Sequence, residues 1–124
     1  MSSLIVTILS PEGLAYEGEV LEAYFPSAQG PLGILPGHTP YIAELAVEGV
    51  IRIKETNGNL RYFGISRGAL EVRPDKSIAL TDVALSAKSE EEALMLLKSR
   101  STSKLSDTKD VERGRAALEA QTKK

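Results

Sequence analysis

The chain has 124 residues, of which 42% are hydrophobic and 26% charged, a balance typical of one globular domain with or without an appendage. It contains no cysteine, which excludes disulfides, thiolate zinc sites and cysteine nucleophiles. The net charge of -2 argues against a broadly basic nucleic-acid-binding protein. The longest apolar run, residues 4–9, is too short to span a membrane, and the N-terminus lacks the positive charge of a signal peptide. We therefore expect a soluble protein that stays in the compartment where it is made.

Turn-forming residues are concentrated in the first two thirds of the chain. All six prolines lie at or before position 74, and nine of the ten glycines lie before position 69. Residues 1–85 carry a net charge of -4, whereas residues 86–124 carry a net charge of +2. This change in composition predicts two units, residues 1–85 and residues 86–124.

The first unit has the pattern of an antiparallel β-protein. Short β-branched or alternating segments are separated by turn residues at intervals of about 8–12 residues. The predicted strands are Leu4–Leu9, Val20–Phe25, Tyr41–Val47, Val50–Lys54, Leu60–Ile65, Leu70–Arg73 and Ser77–Thr81. No helix-length segment separates them, so a parallel sheet is not expected. The pattern predicts a β-sandwich or flattened barrel of antiparallel strands.

Two glycine-containing segments predict turns within this unit. The pair Asn57-Gly58 lies between two apolar runs and predicts a tight hairpin with positive φ at both residues. The segment Gly30–Gly33 lacks the spacing of a phosphate-binding loop. It is predicted to be a plain turn before a strand.

The second unit predicts a helical hairpin. Ser89 and Glu92 have the spacing of a capping box, and the helix that follows has a narrow apolar stripe of Ala93, Leu96 and Leu97, with Arg100. After a polar connector, a second helix begins near Asp107 or Asp110. Short helices with little apolar surface need a partner surface. We therefore interpret residues 86–124 as a movable appendage.

A search for catalytic or metal-binding side chains gives little. His38, the only histidine, lies in a loop between prolines, where a structural role is favoured over catalysis. A dispersed carboxylate site built from Glu44, Glu71 and Asp82 is the enzyme alternative. These acids alternate with apolar neighbours, as solvent-facing strand positions do. We expect no catalytic residue and no metal site.

The segment that follows Gly33 has the features of a rigid binding loop. Pro36 and Pro40 restrict its backbone, which lowers the entropy lost when a partner binds. Ile34 and Leu35 are then available to a partner. The alternative is that both side chains enter the core of the sandwich.

Several strings occur in the order found in one protein family. They are SPEG at 10–13, YEGEV at 16–20, LGILPGHTP at 32–40, GVIRI at 49–53, SRGALEVRP at 66–74 and ALTD at 79–82. With them the sequence resembles the epsilon subunit of F-type ATP synthases, called delta in mitochondria. The resemblance covers residues 4–85, and the remainder is similar only in its helical layout.

The resemblance implies a β-sandwich with a C-terminal hairpin and a non-catalytic role in the rotor. Such subunits bind the gamma subunit and the ring of c subunits, and help couple ion translocation to ATP synthesis. The hairpin, when extended, reaches the alpha/beta head and restrains ATP hydrolysis. The implied location is peripheral, at the cytoplasmic face of a bacterial inner membrane or the stromal face of a thylakoid. No nucleic-acid partner and no cofactor other than a regulatory ATP are implied.

The resemblance also suggests binding residues. The rotor-facing loop of the family matches Gly33, Ile34, Leu35, Pro36, Gly37 and His38. Pro31 stands where the family often has an acidic residue. Residues 111–116 are similar to an ATP-binding motif of some bacterial members, which makes Glu112 and Arg115 candidate nucleotide ligands, with an ordinary charged helix face as the alternative. The functional alternative is a stand-alone β-sandwich module whose hairpin docks an unrelated protein.

Overall fold

The computed structural model describes residues 4–100, which form seven strands and one helix. The strands are β1 (Leu4–Ser10), β2 (Gly13–Ser27), β3 (Gly30–Ile34), β4 (Tyr41–Leu45), β5 (Gly49–Glu55), β6 (Leu60–Arg73) and β7 (Lys76–Ala87). Helix α1 comprises residues 90–100. The predicted second helix lies outside the described residues, and the division at residue 85 stays a prediction.

The strand pairings form a closed ring. β1 pairs with β7, β7 with β6, β6 with β5, β5 with β2, and β2 again with β1. The ring is flattened into two sheets because β2, β6 and β7 are long enough to contribute to both. Side chains that point inward fill the space between the sheets, and the largest of them, Phe25 and Phe63, are each 1% exposed. The predicted sandwich or flattened barrel is confirmed.

Two details of the prediction are wrong. Residues 30–33 are not a plain turn: Gly30–Ile34 forms β3, which pairs with the end of β2. The predicted strands at 60–65 and 70–73 are one continuous strand, β6. The strands are mainly antiparallel, as predicted, but β1 and β7 pair in parallel. No crossover helix is needed because the chain travels around the whole ring between these two strands.

The hairpin at Asn57-Gly58 is confirmed, but its turn differs from the expected type. β5 and β6 pair in register from Gly49 opposite Ile65 to Lys54 opposite Leu60. Four residues, 56–59, connect them, and within this loop only Gly58 has a positive φ, of 91°. This longer loop has one left-handed residue, whereas a two-residue turn of type I′ needs two.

Strand β6 passes from one sheet to the other at Arg67 and Gly68. Arg67 has a φ of 54° and is the one non-glycine residue in the described part of the chain with positive φ. Its amide donates to the carbonyl of Ala46, at 2.9 Å. Gly68 has a φ of 140°, and a Cβ atom there would overlap the carbonyl oxygen of Leu80. The backbones of β6 and β7 can therefore approach here only because residue 68 has no side chain.

Helix α1 begins with a variant of the predicted capping box. The Ser89 hydroxyl accepts a hydrogen bond from the Glu92 amide at 3.1 Å. The Glu92 carboxylate in turn accepts a hydrogen bond from the Lys88 amide at 2.6 Å. In a capping box the donor would be the amide of Ser89, one residue later. Ala93 and Leu97 are buried against the sandwich, while Met95 on another side of the helix is 66% exposed. Of the predicted narrow stripe, Ala93 and Leu97 form the docked face of the helix, whereas Leu96 is 38% exposed.

A polar cluster joins the β1–β2 hairpin to the β5–β6 hairpin. The Tyr16 hydroxyl donates to the Glu55 carboxylate at 2.8 Å, and the Arg61 guanidinium lies over the Tyr16 ring and 3.5 Å from the same carboxylate. Burial, followed by the hydrogen bond and negative charge of Glu55, raises the pKa of Tyr16 to about 12. The phenol is therefore held neutral by its surroundings.

Replacement of Gly68 by alanine is expected to destabilise the sandwich by at least about 2 kcal/mol, because a strained φ and a backbone overlap are combined. Gly58→Ala is the matched control, because it also has positive φ but faces open space. It should cost only about 1 kcal/mol. Urea unfolding of the two variants measures the difference, and equal losses would contradict the steric argument.

The Tyr16 cluster predicts a change in stability at alkaline pH. Because the folded-state pKa of about 12 lies above the ordinary 10.0, the stabilisation is complete below pH 10 and is lost as the pH rises through about 12. Tyr16→Phe should remove this part of the loss of folding stability at alkaline pH. Tyr41→Phe, at an exposed strand end, should retain it. Urea unfolding at a series of pH values tests the expectation. Identical alkaline losses in both variants would contradict it.

Candidate partner-binding surface

The outward-facing side of the sheet formed by β4, β6, β7, β1 and β2 carries exposed apolar side chains among charged ones. The strand registers align its residues in three rows across the sheet. The rows comprise Glu44, Ala69, Leu80, Leu9 and Leu14 in the first; Ile42, Glu71, Ile78, Thr7 and Glu17 in the second; and Arg73, Lys76, Ile5 and Glu19 in the third. We call this surface the outer apolar face.

Four large aliphatic side chains of the outer apolar face are well exposed. Ile42 is 75% exposed, Leu14 58%, Leu80 54% and Ile5 40%. Single exposed apolar residues are ordinary, but several on one face of a sheet indicate an interaction surface. Charged side chains lie at the border of the face, as Glu44 does, and within it, as Glu71 does in its ion pair with Arg73. Protein–protein interfaces likewise combine apolar side chains with charged ones.

The loop predicted to bind a partner lies at one end of this face. Its residues do not share one environment: Leu35 is 57% exposed, whereas Ile34 is fully buried at the end of β3. Ile34 therefore cannot make the direct contact predicted for it, because its side chain belongs to the core. Leu35 thus matches the alternative of a side chain available to a partner, and Ile34 matches the alternative of a side chain that enters the core.

The remaining loop residues are available at the surface and held by the backbone. Gly37 and Leu35 are exposed, while Pro36 and His38 are half-buried. The Gly37 amide donates to the carbonyl of Pro74 at 2.7 Å, which fixes the loop to the turn between β6 and β7. Gly37 has a φ of 84°, a conformation that favours glycine. The loop thus presents a preformed backbone next to the third row of the face.

The structure does not bring the alternative carboxylates into a site. Glu44 and Asp82 are exposed, and Glu71 accepts a hydrogen bond from Arg73 at 3.0 Å. Among residues 4–100 there is no group of three side chains suited to hold a metal ion. Within the same residues no helix is both long and apolar enough to cross a membrane. Glu112 and Arg115 lie outside the described residues, so nucleotide binding stays a prediction.

The sequence interpretation missed the outer apolar face as a surface. A signal was present, because Ile5, Ile42 and Leu80 occupy the positions that should be polar if the sheet met only water. The interpretation assigned strands from alternation but did not test which of the two faces was the more polar. The pairing order was also needed to show that these residues are neighbours.

Comparison with known proteins assigns the chain to a family. The family described as ATP synthase, Delta/Epsilon chain, beta-sandwich domain, matches residues 3–87. The ATP synthase epsilon chain of Bacillus velezensis is 35% identical over 123 residues, which cover 96% of this chain and 92% of that protein. The epsilon chain of Bacillus thuringiensis is 40% identical over 84 residues, or 68% of this chain and 62% of that protein.

A solved structure has the same fold. It is a chain of the Euglena gracilis mitochondrial ATP synthase, with a TM-score of 0.65 and 18% identity, and the match covers 95% of this chain and 68% of that one. The resemblance found in the sequence is confirmed, and with it the prediction of a complex subunit rather than an independent enzyme. The protein belongs to the delta/epsilon chain family of ATP synthase subunits.

Proposed function

We propose that this protein is the epsilon-type subunit of the central stalk of an F-type ATP synthase. In this role it is a non-catalytic rotor component that binds gamma and the ring of c subunits, and it helps couple ion translocation to ATP synthesis. It associates with the membrane through the complex, at the cytoplasmic face in a bacterium or the stromal face in a plastid. Family membership favours this role over that of a stand-alone binding module.

The outer apolar face is the observation that carries the assignment of a partner. Its exposed aliphatic side chains would be covered by an apolar surface of gamma, and its charged side chains would set the orientation. Burial of such side chains contributes about 25 cal/mol per Å² of apolar area removed from water. The face therefore provides the first contact of the attachment.

The loop at Gly33 to His38 provides the second contact, to the c-ring. Leu35 presents an apolar side chain, and the backbone hydrogen bond from Gly37 to Pro74 holds the loop in place without a partner. A preformed loop loses little entropy on binding. Pro31 replaces the acidic residue common in the family, so this contact depends more on apolar and backbone groups than on charge.

The C-terminal region has a regulatory role in this proposal. Helix α1 contacts the sandwich through a small apolar area and presents further apolar side chains to its surroundings. Extension of the hairpin along gamma towards the alpha/beta head would restrain ATP hydrolysis. A weakly held element is required for such a change, because its docking free energy must be small.

The substitution Ile42→Glu tests the outer apolar face. A carboxylate at this exposed position should leave the fold intact but place a charge in the apolar interface, lowering affinity for an ATPase head that lacks epsilon at least about tenfold. Leu60→Glu is the matched control, since Leu60 is also exposed but lies at the β5–β6 hairpin, away from this face. Co-elution in gel filtration measures both variants.

Two results would count against the proposal. Equal co-elution of the two variants would show that the face is not the attachment. Failure of the unsubstituted chain to co-elute, at low and at moderate salt, would contradict the assignment as a stalk subunit.

Removal of the residues after Lys88 tests the regulatory role. This end point keeps the whole of β7, including the pairing of Ala87 with Tyr62. The shortened chain should fold and bind the head, because both proposed contacts lie in the sandwich. Steady-state ATP hydrolysis by the reconstituted complex should be faster than with the full chain. A shortened chain that did not fold would contradict the division into two units.

A further inference from the structure

Gly64 occupies an unusual position in the middle of β6. It pairs with Val50 on one side and Leu85 on the other, so it lies in the interior of a sheet rather than at a turn. Glycine in a strand interior has no side chain to pack and loses more backbone entropy than other residues. Its backbone does not have a positive φ. Neither a turn nor a left-handed conformation therefore explains the glycine.

The approach of helix α1 does explain it. A Cβ atom on Gly64 would lie 2.8 Å from the carbonyl oxygen of Ala93, and 3.0 and 3.2 Å from two carbon atoms of Leu97. The first contact is to backbone and cannot be relieved by rotating a side chain. Ala93 and Leu97 are the two buried residues of the helix, 0% and 4% exposed. The docked face of α1 thus lies directly on the bare backbone of Gly64.

Little else links the described part of the helix to the sandwich. The side-chain hydrogen bonds of Ser89 and Glu92 are internal to the cap. Neither of the two ion pairs found among residues 4–100 involves the helix. Docking therefore depends on close packing over a small area, and the van der Waals contacts that hold it are lost steeply as the separation grows.

We infer that Gly64 is a positioning residue that sets how firmly helix α1 docks on the sandwich. Because Gly64 has no side chain, Ala93 and Leu97 can pack directly on its backbone. Any larger residue would lift the helix while leaving the inward side of β6 unchanged, because the side chain at position 64 points away from the core. An effect of Gly64 on ATP hydrolysis by the complex rests on the proposed function, whereas the inference about helix docking does not.

Thiol labelling of the full chain tests the inference, because the protein has no cysteine of its own. Leu97→Cys places a reporter under the docked helix, and Ile51→Cys, at a fully buried core position, reports on the sandwich. In the Gly64→Val background, Leu97→Cys should react with a disulfide reagent at least about tenfold faster than with Gly64 present. Gly64→Ala should give a smaller increase, and Ile51→Cys should stay protected.

Gly18→Ala is the control for loss of a strand glycine. A Cβ atom there would meet the Tyr16 side chain, with the hydroxyl at 3.0 Å, and should leave labelling at position 97 unchanged. Unchanged labelling of Leu97→Cys in Gly64→Val would overturn the inference. So would faster labelling of Ile51→Cys, since Gly64 would then act through the sandwich itself. Co-elution with the ATPase head, measured separately, reports on the proposed function alone.

Discussion

The close approach of two backbones at Gly68 is the constraint on which the rest of the fold depends. Strand β6 can leave the sheet it forms with β5 and enter the sheet it forms with β4 only where β7 follows it without obstruction. The left-handed turn at Arg67 changes the direction of the strand, and the absent side chain at Gly68 gives room for the carbonyl of Leu80. This crossing sets the orientation of the two sheets relative to each other, and therefore that of their outer faces.

The two sheets of the sandwich have different roles on their outer sides. One presents the outer apolar face, and the other receives helix α1 over Gly64. A partner can therefore bind the first without displacing the helix from the second. In the proposed function, this separation would let one small domain combine a lasting attachment with a contact that changes.

The sequence predicted the strands well and the surface poorly, for physical reasons. Alternation and turn residues are local, so β1, β5 and the hairpin at Gly58 could be located from neighbouring residues. The continuity of β6 and the parallel pairing of β1 with β7 depend on residues far apart in the chain, which no local pattern encodes. Leu35 and Ile34 illustrate the same limit, because adjacent apolar residues gave no indication which one enters the core.

The parallel pairing of β1 with β7 has a consequence for the order of folding. The first strand of the domain finds one of its two neighbours only in the last, where Ile5 lies opposite Lys76 and Leu9 lies opposite Leu80. During synthesis the ring of strands cannot close until β7 has left the ribosome. Closure of so long a loop carries an entropy cost and slows folding. Helix α1, which closely follows β7, thus emerges at about the time that the surface receiving it is completed.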